Sequence, residues 1–270
     1  MSMDQSAIKQ ITDNAIAASK VSDKTNIPTV AIPDNMSVVS LEKYMDSPSR
    51  FRGIYSTDSL PDFASYTKEN APCKCFVDAS TMSVSSIFDL GSIDAPGHGE
   101  HSATLTLQDT APYTAMLNMN GRKNGQRAMA DWLEDWRNYL TAENQDGEEV
   151  DIKKAVAAIR RITIEASRNS EHEDKTMGAS RSTLESVEAK SEHGLPAGFT
   201  FSCKPCKDLK QRDFYMQLSI LTTDEPQLVL RISQLENLKE EIVEEFKELV
   251  IQKVDSDEVD TYIGEFTKRH

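Results

Sequence analysis

Several things are scarce in this chain of 270 residues, and each scarcity excludes something. No apolar run approaches the roughly 18 residues that a membrane-spanning helix requires, so no helix is expected to cross a bilayer. Met1 to Lys20 has neither a basic start nor an unbroken apolar stretch, which reads against a secretory signal and for the cytoplasm. Cysteines number four, and a reducing compartment keeps them as thiols unless a metal holds them. Basic residues are in deficit: 30 Lys and Arg stand against 44 Asp and Glu, for a net charge of −14. A surface that tracks a phosphate backbone over its whole extent is thereby excluded, because such binding relies on Lys and Arg displacing counterions. Catalytic signatures are missing as well, with no nucleophile motif, phosphate loop or dinucleotide fingerprint. Gly121-Arg122-Lys123-Asn124-Gly125 is basic and turn-like, but it lacks the Gly-Lys-Ser/Thr ending of a phosphate loop.

What is present is a globular length, enough for one large domain or two small ones. The clearest pattern lies between His101 and Leu140. Ala103, Leu105 and Leu107 alternate with polar residues, the period of a strand with one buried face. Met129, Trp132, Leu133, Trp136 and Leu140 then fall on one helical stripe. Both tryptophans of the chain sit there, and each buries on the order of 200 Å², so this helix is expected to be the lid of the core.

The remainder reads in order as follows. Ser6 to Ser19 predicts an amphipathic helix, and Pro28 to Pro33 an extended arm. Ser40 starts a short helix that Pro48 stops, and Ser59 with Pro61 starts another. Phe76-Val77, the segment with Met82, Val84 and Phe88, and the strand after His101 predict a three-stranded meander with the tryptophan helix across it. Glu143 to Glu149 is an acidic break. Beyond it come a helix through Ile152, Val156 and Ile159, an alternation at Ile162 to Ala166, a polar tip at Asn169 to Ser182 and a return at Leu184 to Ala189. Phe199 to Cys203, Phe214 to Ile220 and Leu228 to Ile232 predict strands, the last two forming a hairpin. A long helix from Gln234 to Lys253 turns Leu235, Leu238, Ile242, Phe246 and Leu249 inward. The expected architecture is α+β, with antiparallel β-meanders in both halves, each covered by an amphipathic helix. Its segments are 1–35, helix and arm; 36–142, a subdomain with the tryptophan helix; 143–151, the break; 152–254, meander and acidic helix; and 255–270, a tail.

Three clusters offer chemistry. Cys73-x-Cys75 and Cys203-x2-Cys206, if brought together, would make an all-thiolate zinc site, although Cys203 falls on the inward side of a strand where a thiol is a small apolar filler. His98 and His101, with Asp89 upstream, supply nitrogen and oxygen donors for a metal-dependent enzyme; a strand-start histidine that packs or hydrogen-bonds is the plainer alternative. Arg50, Arg52, Arg122, Lys123 and Arg127 would form one basic, nucleic-acid-binding patch if they converge near a helix N-terminus, and otherwise are scattered surface charge. The acidic runs at 143–151, 171–174 and 236–248 are solvated faces or, on a sharper reading, a surface that mimics nucleic acid or meets a basic partner.

The order Leu41-Glu42, Pro48-x-Arg50-x-Arg52-Gly53, Phe88-Asp89, His101-x-Ala103 and Gln126-x3-Ala130-x-Trp132-x-Glu134-Asp135 resembles the YfdQ-like family of phage and prophage proteins, over roughly residues 28 to 250. That resemblance implies a bacterial cytoplasm carrying phage or mobile-element genes, and it implies no reaction, cofactor or catalytic residue. Together these readings point to a non-catalytic protein that binds a host or phage macromolecule, most simply a protein. The alternatives are a nucleic-acid accessory in recombination or DNA protection, and a metal-dependent enzyme. Edge strands and the Leu235 to Leu249 stripe leave room for self-association.

Overall fold

A computed structural model describes residues 4–22, 40–162, 195–222 and 226–267. The chain divides into two units, Met1–Phe51 and Arg52–His270. In the first, the expected N-terminal helix is α1 (Gln5–Ser22), with Ile8 and Ile11 exposed. A single 3-10 turn, Glu42–Tyr44, follows at the expected short helix, and the Glu42 carboxylate accepts from the Ser49 amide and hydroxyl. The extended arm at 28–33 lies outside the described residues, as do the alternation after Ile162, the 169–182 tip and its 184–189 return.

The second unit contains two sheets. The first has strand order β1-β4-β3-β2-β11, from β1 (Gly53–Thr57), β2 (Cys73–Asp78), β3 (Ser83–Ile87), β4 (His101–Thr106) and β11 (Val259–Ile263). The expected meander is its centre, β2, β3 and β4, all antiparallel. Its edges were not foreseen: β1 runs parallel to β4, and β11, inside the expected tail, runs parallel to β2. The second sheet is antiparallel throughout, in the order β5-β10-β9-β8-β6-β7. Its strands are β5 (Lys123–Gly125), β6 (Leu140–Glu143), β7 (Glu149–Val150), β8 (Gly198–Cys203), β9 (Arg212–Thr222) and β10 (Pro226–Ile232). The fold is therefore α+β.

Helix α2 (Leu60–Glu69) starts where Ser59 and Pro61 predict: the Ser59 hydroxyl accepts from the Asp62 amide and Pro61 sits in the first turn. It buries Leu60, Phe63 and Ala64, contacts β4 and β1, and is backed by α6 (Leu235–Val254). After β4 the chain passes through α3 (Ala111–Met119) into β5 of the second sheet before entering α4 (Gln126–Asp135). This path corrects the expected position of the tryptophan helix. Trp132 and Trp136 lie 5.9 and 6.3 Å from the Phe201 ring on β8, so the lid covers the second sheet and not the meander. Two physical reasons combine. The inward residues of the meander, Cys75, Val77, Val84, Ser86 and Ala103 among them, are small, and α4 is tied by β5 to β10. The helix also stops short: Trp136 is its C-cap, and Leu140 of the expected stripe begins β6 opposite Phe201.

Residues 143–151 hold a turn, in which Asn144 Oδ1 accepts from the amides of Asp146 and Glu148, then β7, and then Asp151, whose carboxylate caps α5 (Ile152–Arg160). Buried side chains from both sheets join one hydrophobic core. The long helix α6 is fastened to it by charge as well as by Ile242, Phe246, Val250 and Val254. Arg212 of β9 lies 2.7 Å from Glu241 and 2.8 Å from Glu245, and Glu245, only 8% exposed, also accepts from the Lys210 amide.

Candidate binding surface

Alternation divides the first sheet into two unlike faces. Cys75, Val77, Val84, Ser86, Ala103 and Leu105 point to the core and are buried. The opposite parity gives Ile54, Ser56, Ser102, Thr104, Ser83, Ser85, Ile87, Lys74, Phe76, Asp78, Asp260 and Tyr262, and none of these is buried. On this outer face Phe76 of β2 stacks against Tyr262 of β11 at 5.5 Å, its register partner. From the chain just beyond β11, Phe266 stacks on the same Phe76 ring at 4.8 Å. Beside the aromatics lie short hydroxyl side chains, two of which, Ser56 and Thr104, are bonded at 3.0 Å.

One hydrogen-bonded loop borders this face. Residues 89–99 fold back on themselves: the amides of Gly97 and Gly99 donate to the carbonyls of Leu90 and Asp89. A Cβ on Gly97 would fall 1.9 Å from the Asp89 carbonyl oxygen, so only glycine fits there. Both Asp89 carboxylate oxygens clamp the far end, accepting from the backbone amides of Glu100 (3.0 Å) and His101 (2.9 Å). Burial raises the Asp89 pKa, but those two amides outweigh it and hold the carboxyl below its ordinary value. The loop separates two open cavities that share Ile87 and Leu90. One, about 490 Å³, is also lined by His98 and Phe266. The other, about 430 Å³, is lined by Cys73, Lys74, Phe88, Glu258 and Asp260.

At the same end of the sheet, on its inner side, His101 Nε2 and the Tyr66 hydroxyl are bonded at 3.0 Å. The His101 ring lies 4.5 Å from Phe88, and Tyr66 lies 4.7 Å from Tyr55. These rings pack on one another, so His101 takes the packed, hydrogen-bonded role of a strand-start histidine. His98 is exposed on the loop. Asp89 directs its carboxylate to backbone amides. Among the described residues no three His, Cys, Asp or Glu side chains are grouped to hold a metal.

The four cysteines are free and buried. Cys73 and Cys75 belong to β2 in the first sheet; Cys203 ends β8 in the second, and Cys206 follows it, its backbone bridged to Asp109. Burial pushes the Cys73 and Cys75 thiols up to about 11, and those of Cys203 and Cys206 up to about 12. Burial thus disfavours the thiolate at each of the four, and the two pairs lie at different sheets.

The basic candidates occupy several places. Arg50 is half-buried in the N-terminal unit. Arg52 precedes β1 and pairs with Glu100 at 3.0 Å. Arg122 and Lys123 are exposed side by side at β5, and Arg127, in the first turn of α4, has Asp131 at 3.8 Å. Sequence reasoning missed the aromatic stack. Phe76 falls in an expected strand, but its partners lie in the expected tail, where Val259, Thr261 and Ile263 alternate with Asp260 and Tyr262.

An α+β molecule with two mostly antiparallel sheets on one core, the first presenting an open aromatic face, is thus the class defined by the structure. Over residues 1–266 the chain matches the family described as "Uncharacterized conserved protein (DUF2303)", and it belongs to that family. No curated protein and no solved structure matches it. No helix among the described residues is long and apolar enough to cross a membrane.

Proposed function

We propose that this is a non-catalytic, YfdQ-like protein of a phage or mobile element. It acts in the bacterial cytoplasm by holding another macromolecule, a protein, on the outer face of its first sheet. The observation that carries this reading is the Phe76, Tyr262 and Phe266 stack on a face where no outward side chain is buried. Large aromatics anchor protein interfaces when they are desolvated by a partner. The phage setting is supported by the ordered motifs from Leu41 to Asp135. Cross-linking mass spectrometry on the full chain in extract of a phage-carrying host tests the reading. Partner cross-links are expected to Lys74 and to neighbours of the stack, and to be lost in Phe76→Ser. Cross-links confined to the second sheet would count against it.

A second reading rests on Arg122, Lys123 and Arg127, exposed where β5 enters α4. It makes the protein a nucleic-acid accessory and predicts salt-sensitive filter binding abolished by Arg122→Glu with Lys123→Glu. Retention unchanged by those substitutions removes it.

A further inference from the structure

Building on the proposed protein-binding face, we infer that its occupant is a basic, apolar segment of the partner, with aromatic or aliphatic side chains set between Lys or Arg. The apolar half of this chemistry comes from the sheet. Tyr262 and Phe266 are 47% and 39% exposed around the Phe76 ring, and the 490 Å³ cavity opens between Phe266 and the loop. A cavity of that size accepts a large side chain from an incoming segment. The hydroxyls of Ser83, Ser85 and Thr104 border the stack and offer hydrogen bonds to a peptide backbone crossing it.

The basic half follows from charge complementarity. Among the described residues, Asp78 and Asp260 stand on this face and Glu258 lines the cavity beside them, and the cation among the outward residues is Lys74, the register neighbour of Asp260. The excess is negative, as for the chain as a whole at −14. Such a surface steers cationic groups toward it and repels anions. Nucleic acid and anionic lipid are disfavoured here for that reason. A second copy binding through the same face across a two-fold axis would bring like charges together, which costs stability. A cationic segment relieves the excess, and its apolar side chains cover the stack.

The test is to pan a random peptide display library against the full-length protein and counter-select against Phe76→Ser. That outward substitution is expected to leave thermal unfolding unchanged, which separates lost binding from lost folding. Peptides that survive are expected to be rich in Lys and Arg interleaved with Trp, Phe or Leu. Their binding, read by fluorescence anisotropy, is expected to weaken by roughly tenfold in Glu258→Gln/Asp260→Asn and to fall with added salt. Ser219→Lys, on the outer side of the second sheet, serves as a control expected to bind as wild type. Selected peptides that need Phe76 but are neutral or acidic overturn the basic chemistry and leave the protein-binding face standing. Failure to select any Phe76-dependent peptide overturns both.

Discussion

The central strands of the two sheets turn different residues toward the core. In the second, Phe199, Phe201 and Phe214 are fully buried on the inner face, and Trp132, Trp136 and Tyr139 gather around Phe201. The first turns small residues, Cys75, Ser86 and Ala103, to the core and Phe76 and Tyr262 outward. Burying a ring is strongly stabilising, whereas leaving one half-covered at the surface contributes little to folding and much to whatever covers it. The contrast teaches that the second sheet holds the molecule together and the first presents a surface. Each half of that statement can be broken by measurement.

The largest expected effect is in the second sheet. Phe201→Ala empties a site bordered by three aromatic rings and should cost about 3–5 kcal/mol in urea unfolding, against less than about 1 kcal/mol for Phe76→Ala. Equal costs would erase the distinction between the sheets. Next comes the tie between the second sheet and α6: Arg212→Met leaves Glu245 buried without its cation and should cost about 2–3 kcal/mol, much of it recovered when Glu245→Met is added. A double-mutant coupling near zero would show that the pair holds nothing. Smaller again is Gly97→Ala, where the new methyl meets the Asp89 carbonyl; about 2 kcal/mol is expected, with faster hydrogen exchange confined to residues near the loop. Exchange that rises in the second sheet too would mean that the loop is not a local feature.

The smallest effect concerns pH. Asp89 has a folded pKa below its unfolded value near 4, so between the two the unfolded chain binds more protons. Its contribution is fully present above that unfolded value and is lost as pH falls through the depressed folded one. Asp89→Asn should therefore flatten the acid limb of the stability curve below about pH 4 while leaving its neutral shape intact. A wild-type acid limb in the variant would place the clamp elsewhere.

How far the sequence discloses this arrangement depends on the range of the contacts. Local signals were faithful: the Ser59 and Pro61 start of α2, the Phe214 to Ile232 hairpin and the small-residue meander all follow from period and capping. The position of the tryptophan helix was not legible, because an apolar stripe says that a face is buried without saying against what. Phe201 is the answer, and it is supplied from far along the chain. The aromatic stack was hidden for the same reason. Phe76 and Tyr262 are each ordinary strand residues, and only the parallel pairing of β2 with β11 joins them. The cysteine pairs illustrate the converse: close spacing in sequence invites a shared site, while the fold sets Cys73 and Cys75 in the first sheet and Cys203 and Cys206 at the end of a strand of the second.

The parallel strand β11 also imposes an order of events during synthesis. Its partner β2 leaves the ribosome early, and the whole second sheet is translated before Val259–Ile263 emerges to pair with it. Until then the Cys73–Asp78 edge is an unpaired strand on a nascent chain, the kind of edge that recruits other chains. Closing that edge and completing the aromatic stack are one step, so a chain interrupted after α6 would lack its finished surface and carry a sticky border in its place.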